Sequence, residues 1–250
     1  MFKSIFLIAS LAAYTLAQTA DYCSSSLCSG YKHIACGNSG AFAPSCASDK
    51  ELIRMEPYID IIVAKHNAYR NTVAAGGLPG FEPALRMGTM QWDSELAYLA
   101  ELNVKQCVMQ HDSCRNTDRF QWSGQNLAWT WGIPAADPGK AFEKGIDNWF
   151  NEYQNANMEY INSYPSVSPV IGHFTPIVND RNIRVGCAQV RQSSNGGTEY
   201  FMACNYAQTN ILGLKVYTSG ATASKCVTGT NPAYPALCSV NEPIDPNTIF

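Results

Sequence analysis

The sequence predicts an α+β fold, helices and a sheet in layers, forming one disulfide-braced domain. Three observations carry this expectation. Apolar residues recur at helical spacing over 58–73, about 94–106 and about 139–153. Two β-rich runs, 182–192 and 198–208, flank an Asn195-Gly196 pair. Ten cysteines follow an N-terminal segment with the features of a secretory leader. Helical patterns first and strands after favour an α+β or layered α/β/α arrangement over a repeating crossover pattern.

The 250 residues suffice for one sizeable domain or at most two small ones. Lys and Arg number 17 against 20 Asp and Glu, a net charge of −3, which leaves no basic surplus to neutralise a phosphate backbone and excludes nucleic acid as the expected partner. With 46% hydrophobic residues the chain has enough apolar surface to offset the entropy of ordering, which excludes wholesale disorder.

Lys3 precedes an apolar run from Ile5 to Leu16, and Ala17 follows Thr15 by two positions, the pattern of a signal peptide over 1–17 cleaved after Ala17. Gln18, Thr19 and Asp21 end the run well short of the roughly 20 apolar residues a membrane span requires. No later segment is apolar enough to span, so the expected product is secreted, with no transmembrane segment. Cleavage there keeps all ten cysteines, an even number, in an oxidising compartment. Residues 18–51 hold four of them among Ser, Gly and Ala, an irregular segment stapled to the body.

The first helix is placed at 58–73. Pro57 suits a first turn, Ile59, Ile62, Val63 and Tyr69 cover a broad face, and Gly76-Gly77 stops the pattern. His66 and Arg70, four apart, share one face. The second runs from about Ser94 to Gln106, with Asp93 available as its cap. The third, from about Gly139 to Tyr153, places Phe142, Ile146, Trp149 and Phe150 at helical spacing after Asp137-Pro138. A hairpin turn at Asn195-Gly196 sets Cys187 opposite Cys204 on a non-hydrogen-bonded rung, where the Cα separation suits a cross-strand disulfide; a shifted register would send the two sulfurs to opposite faces. No Cys-x-x-Cys pair suggests a cysteine metal site.

Several fragments are specific in combination: His66-Asn67-x-x-Arg70, Gln91-Trp92-Asp93-x-Glu95-Leu96-Ala97, Gly124-Gln125-Asn126-Leu127-Ala128, Trp149-Phe150-x-Glu152, Gly172-His173-Phe174-Thr175, and Cys187 followed by Phe201-Met202-Ala203-Cys204-Asn205-Tyr206. In this order, across 52–213, the chain resembles the superfamily of cysteine-rich secretory proteins, antigen 5 and pathogenesis-related proteins (CAP, or SCP), and within it the insect antigen 5 or venom-allergen branch. The resemblance implies a three-layer α/β/α sandwich over 52–218. It also implies disulfides joining Cys23 with Cys36, Cys28 with Cys114, Cys46 with Cys107 and Cys187 with Cys204. Cys226 and Cys238 then remain for each other in a C-terminal extension, 219–250, that the resemblance covers poorly.

In this family two histidines and two carboxylates converge in a central cleft, and the matched positions are His66, Gln125, Glu152 and His173. One acid is an amide here. His66 and His173 are the candidate ligands for a zinc or other divalent ion, with Glu152 orienting an imidazole or activating water; alternatively His66 is simply hydrogen-bonded on its helix face. No cofactor is required. Gln125 holds no negative charge and takes no proton near neutral pH, so paired-carboxylate chemistry is closed to these positions. Two departures from the family pattern follow His173. Pro176 removes a backbone donor, and Asn179 stands where a large aromatic is usual.

A hydrolase needs a nucleophile, a base and an orienter, yet no Gly-x-Ser-x-Gly elbow occurs; Trp122-Ser123-Gly124 lacks the leading glycine. The expected function is therefore a secreted, non-enzymatic, monomeric protein that binds a small apolar ligand, for which the resemblance implies a sterol, a fatty acid or a small amine. The alternative is a secreted factor that binds an extracellular protein partner in defence, saliva or reproduction. Trp122, Trp129 and Trp131, with the run of Tyr153, Tyr160, Tyr164, Pro165 and Pro169, are assigned to core and loop packing in preference to a ligand pocket.

Overall fold

A computed structural model describes residues 20–166 and 170–249. The segment assigned as a signal peptide and Pro169 lie outside the described residues. Helix α1 (Ile59–Ala74), α2 (Ser94–Val104) and α3 (Pro138–Asn151) fall within two residues of the predicted spans at each end. Asp93 caps α2 as expected, its Oδ1 accepting from the backbone N–H of Glu95 and Leu96 at 3.1 and 3.0 Å. Asp137 does the same for α3, where Pro138 needs no partner for its missing N–H.

The main sheet contains β1 (Glu51–Leu52), β2 (Gln91–Trp92), β3 (Gly124–Gly132), β4 (Arg184–Ser194) and β5 (Gly197–Tyr206). Its path is β1-β4-β5-β3, with β2 beside β4. Strand β3, which lies between α2 and α3 in the chain, is therefore an edge strand, so the strands do not all follow the helices. The β4–β5 hairpin turns at Asn195-Gly196, both at positive φ, and sets Cys187 opposite Cys204. Their Cα atoms are 4.0 Å apart across a disulfide. The other bridges join Cys23 to Cys36, Cys28 to Cys114, Cys46 to Cys107 and Cys226 to Cys238. Two of them fasten the irregular N-terminal segment to the stretch after α2.

Alternation along the strands builds two cores, one on each face of the sheet. Cys187, Met202, Cys204 and Tyr206 face α1, α3 and the short α5 (Phe174–Val178). Ala188, Val190, Phe201 and Ala203 face α2, together with Leu127 and Cys46. The result is the three-layer α/β/α sandwich. Helix α2 lies so close to β4 that a Cβ at Gly186 would sit 2.1 Å from the Ala97 nitrogen and 2.4 Å from the Asp93 oxygen. Gly186→Ala is expected to force these backbones apart at a cost of about 1–3 kcal/mol, read as a lower urea midpoint with the slope unchanged.

The backbone donor that Pro176 removes is not missed. Pro176 occupies the third position of α5, where the N–H would have no intrahelical partner in any case. Asn179 is buried and supplies a turn in place of an aromatic: its Oδ1 accepts from Arg181 N and its carbonyl from Arg70. The tryptophans depart from the packing assignment. Trp122, Trp129 and Trp131 are 42%, 50% and 43% exposed; Trp122 precedes β3, while Trp129 and Trp131 stand on the part of β3 that α2 does not cover. Trp129 Nε1 donates to Glu199 and Trp131 Nε1 to the Ser194 carbonyl, which fixes both indoles with their rings outward.

The C-terminal extension crosses the body as a strap. A small hairpin of β6 (Thr230–Asn231) and β7 (Tyr234–Cys238) lies on α1. Ala236 and Leu237 enter the main core, while Cys238 N bonds to Met87 O and Ala236 N to Asn71 Oδ1.

Candidate functional site

The cleft lies where β3 ends the sheet. Because adjacent residues on a strand point to opposite faces, Gln125 and Asn126 serve different layers, and at an edge strand the two layers meet. A recess of about 400 Å³ opens there, lined by His111, Arg115, Gln125, Tyr164, His173 and Asn210 among others.

On the α3 side, Glu152 follows directly from the end of α3 and reaches back to the start of α5. Its Oε1 accepts from His173 Nδ1 at 2.6 Å, and its Oε2 accepts from the backbone N–H of His173 and Phe174 at 2.8 and 3.1 Å. Both carboxylate oxygens are thus committed to holding one imidazole in place. The His173 Nδ1 proton is fixed by this contact, which leaves Nε2 as the ring atom free to act.

On the α2 side, Gln125 donates through Nε2 to Asp112 Oδ2 at 2.8 Å and to Asn205 Oδ1 at 2.9 Å. Both amide protons being used, Oε1 accepts from His111 Nδ1 at 2.8 Å. The negative charge absent at position 125 is present at Asp112, where Arg115 Nε (2.9 Å), Asn103 and Gln125 together satisfy it. A carboxylate at position 125 would face two acceptors. Gln125→Glu is accordingly expected to destabilise the protein by about 1–3 kcal/mol at pH 8 and by clearly less at pH 5, where the new acid takes a proton, as read from thermal midpoints at the two pH values.

His66 is not in the cleft. It is fully buried under Tyr206, with Nδ1 bonded to Ile62 O at 2.8 Å and Nε2 to the Tyr206 hydroxyl at 2.9 Å. Both ring nitrogens are engaged within the protein, so it is neither a metal ligand nor a lining residue, and it corrects the expectation drawn from its place in the sequence. Burial holds its pKa down at about 4, with Arg70 one turn along acting in the same direction. The histidine that faces His173 across the cleft is His111, which sequence reasoning missed. The available signal was its place between Cys107 and Cys114, two anchored cysteines that hold an irregular stretch against the start of β3. His66 still reaches the site indirectly: Tyr206 accepts from Asn126, whose Nδ2 also donates to the His173 carbonyl.

The donor set does not fit a divalent metal. Catalytic zinc usually takes three protein ligands. Here two imidazoles face a neutral amide and a carboxylate already committed to His173, and among the described residues no three His, Cys, Asp or Glu side chains cluster closely enough to hold an ion. His66 and His173, the expected ligand pair, are separated by Tyr206 and Asn126.

The fold and its edge cleft define a disulfide-braced α/β/α sandwich of the CAP type. The chain belongs to the Cysteine-rich secretory protein family, whose profile matches residues 63–206. It is 40% identical to Venom allergen-1 of Aedes albopictus, over 96% of both chains. It is 41% identical to the Antigen 5 like allergen Cul n 1 of Culicoides nubeculosus, over 78% of this chain and 94% of that one. Among solved structures, "Crystal structure of NaASP2 with Zn2+" aligns at a TM-score of 0.63 and 24% identity, covering 78% of this chain and all of that one, and so shares the fold.

Proposed function

We propose that the protein is an extracellular binding protein that takes up a small ligand with an apolar body and does not hydrolyse it. The single observation that carries this reading is that the cleft's acids and Gln125 are committed to neighbouring side chains, with no nucleophile beside either imidazole. Glu152 holds His173, Gln125 holds His111, and Asp112 holds Arg115. No Ser or Thr hydroxyl is hydrogen-bonded to either imidazole among the described residues, and all ten cysteines are in disulfides. A nucleophile beside a base, which acyl transfer requires, is not assembled. The five disulfides, the venom-allergen relatives and the lack of any membrane-crossing helix among the described residues support an extracellular setting, with residues 1–17 removed as a leader and 18–51, 52–218 and 219–250 maturing together. No metal is needed in this reading; the zinc named for the NaASP2 structure belongs to that protein.

Native mass spectrometry and solvent extraction of the purified protein test the proposal. Saturable uptake of a sterol, fatty acid or amine is expected; ester or peptide turnover that Glu152→Gln abolishes would overturn it. A second reading, a protein-binding factor, is favoured by the outward row of Trp129, Trp131 and Ile133, the last 67% exposed, since rigid aromatic side chains dominate interface anchors. For that reading a defined extracellular partner should be held by the wild type and released by a Trp129→Ser, Trp131→Ser variant of unchanged stability.

A further inference from the structure

The strap that crosses the body also roofs a cavity of about 420 Å³, which shares no lining residue with the cleft. Residues 243–248 are pinned at both ends. Before them, Glu242 accepts from Arg86 Nε at 2.6 Å and from the backbone N–H of Val227 and Thr228. At the far end, Thr248 O accepts from Arg181 Nη1, and the Asn247 side chain ties to Arg119 and Gln121. Between the pins, Pro243 and Ile244 line the cavity together with Leu85, which gives it apolar surface. Its size is within the range of small-molecule sites, roughly 300–1,000 Å³.

Its charges are unequal. Arg86, Arg181, Lys215 and Lys225 line it, against Asp180 and Asp245. Arg86 is matched by Glu242. Arg181 donates to the carbonyls of Thr248 and Lys215, lies 3.4 Å from Asp180 Oδ1, and keeps a buried Nε with no acceptor. Asp180 is buried and accepts from Thr218 N, while Asp245 turns onto its own segment at Asn247 N and Thr248 Oγ1. Lys215 and Lys225 have no carboxylate within 4 Å among the described residues. Two exposed ammonium groups therefore stand over an apolar-walled recess whose acids are already committed, and low-dielectric walls concentrate their field inside it.

We propose that this cavity binds a small amphipathic organic anion, its carboxylate or phosphate head at Lys215 and Lys225 and its short apolar body against Leu85, Pro243 and Ile244. The proposal rests on the reading of the chain as a small-ligand binder and gives that ligand a place and a charge. Neither His111 nor His173 takes part.

Calorimetric titration of the full secreted chain, disulfides intact, at low ionic strength tests it with octanoate, octyl phosphate, 1-octanol and octylammonium. Both anions are expected to bind, the alcohol about tenfold more weakly and the ammonium not at all. Octanoate tighter than octyl phosphate marks a carboxylate site, and the reverse order a phosphate site. Lys215→Gln with Lys225→Gln should weaken both anions about tenfold while leaving alcohol binding and the thermal midpoint unchanged. Ile244→Trp, which fills the recess, should abolish binding of anions and alcohol alike. Anion binding equal in the wild type and the lysine variant overturns this site while leaving the small-ligand reading intact. A wild type that takes up none of the probes, and no sterol or long-chain fatty acid, overturns both.

Discussion

Replacing Arg70 with Met is expected to lower the unfolding free energy by about 3–5 kcal/mol, a large share of the stability of a domain this size. The side chain is fully buried inside the main core. Its Nε and Nη2 both donate to Gly88 O, and its Nη1 donates to Ile177 O at 2.8 Å and Asn179 O at 2.7 Å. Gly88 and Asn179 lie outside the regular elements and Ile177 sits in the last turn of α5, where carbonyls lack an intrahelical donor, so the guanidinium supplies hydrogen bonds that no helix or sheet provides there. Methionine fills much of the volume and leaves the buried Gly88 and Ile177 carbonyls without a donor, while Asn179 O keeps only the Asn182 N–H at 3.2 Å. Burial presses the guanidinium pKa down to about 9, still well above neutrality, so the group stays charged and its five donors remain available. Lysine should restore little, because an ammonium cannot span three carbonyls in one plane. Urea unfolding of the oxidised protein measures both variants; a loss under about 1 kcal/mol for Arg70→Met would sink the argument.

His66 gives the second large effect, one that depends on pH. Its pKa is about 4 in the folded protein, against about 6.5 when the chain is unfolded. The unfolded state therefore binds the proton first as pH falls. The stability contributed by keeping this ring neutral is complete above about pH 6.5, is lost steadily down to about pH 4, and totals about 3 kcal/mol. In His66→Gln the amide can still engage Tyr206 but takes no proton. Between pH 7 and pH 4 its unfolding free energy should fall less steeply than the wild type's by about that amount. Parallel curves for the two proteins would show that the ring is not kept neutral by the fold.

These two residues also show where sequence reasoning reached and where it stopped. Helical periodicity put His66 and Arg70 on one face of α1, and they share one face. Periodicity could not say that this face is the buried one, because polar side chains ordinarily mark the solvent side of a helix. Only the carbonyls around Gly88, Ile177 and Asn179, and the hydroxyl of Tyr206, make that burial favourable, and all lie far from α1 in the chain. The β4–β5 register was legible because an Asn-Gly turn fixes it locally. The cleft was half legible. Gln125 and His173 line the cleft and Glu152 holds His173, but His111 lies in an irregular stretch with no period, and its meeting with Gln125 depends on two disulfides and the end of a strand. The exposed tryptophans of β3 were misassigned for a similar reason: composition gives the cost of leaving an indole in water, whereas the length of α2 decides which indoles are covered.

The strap has a consequence for how the chain is made. The family profile ends at Tyr206, the last residue of β5, yet Ala236 and Leu237 complete the core under α1 and Cys238 closes the last bridge. Synthesised from its N-terminus, the chain can form the sheet and the Cys187–Cys204 link while its main core still lacks a wall. That unfinished surface stays open until residues beyond 238 have emerged, so the nascent protein still exposes apolar surface for chaperones to cover when its family signature is already complete.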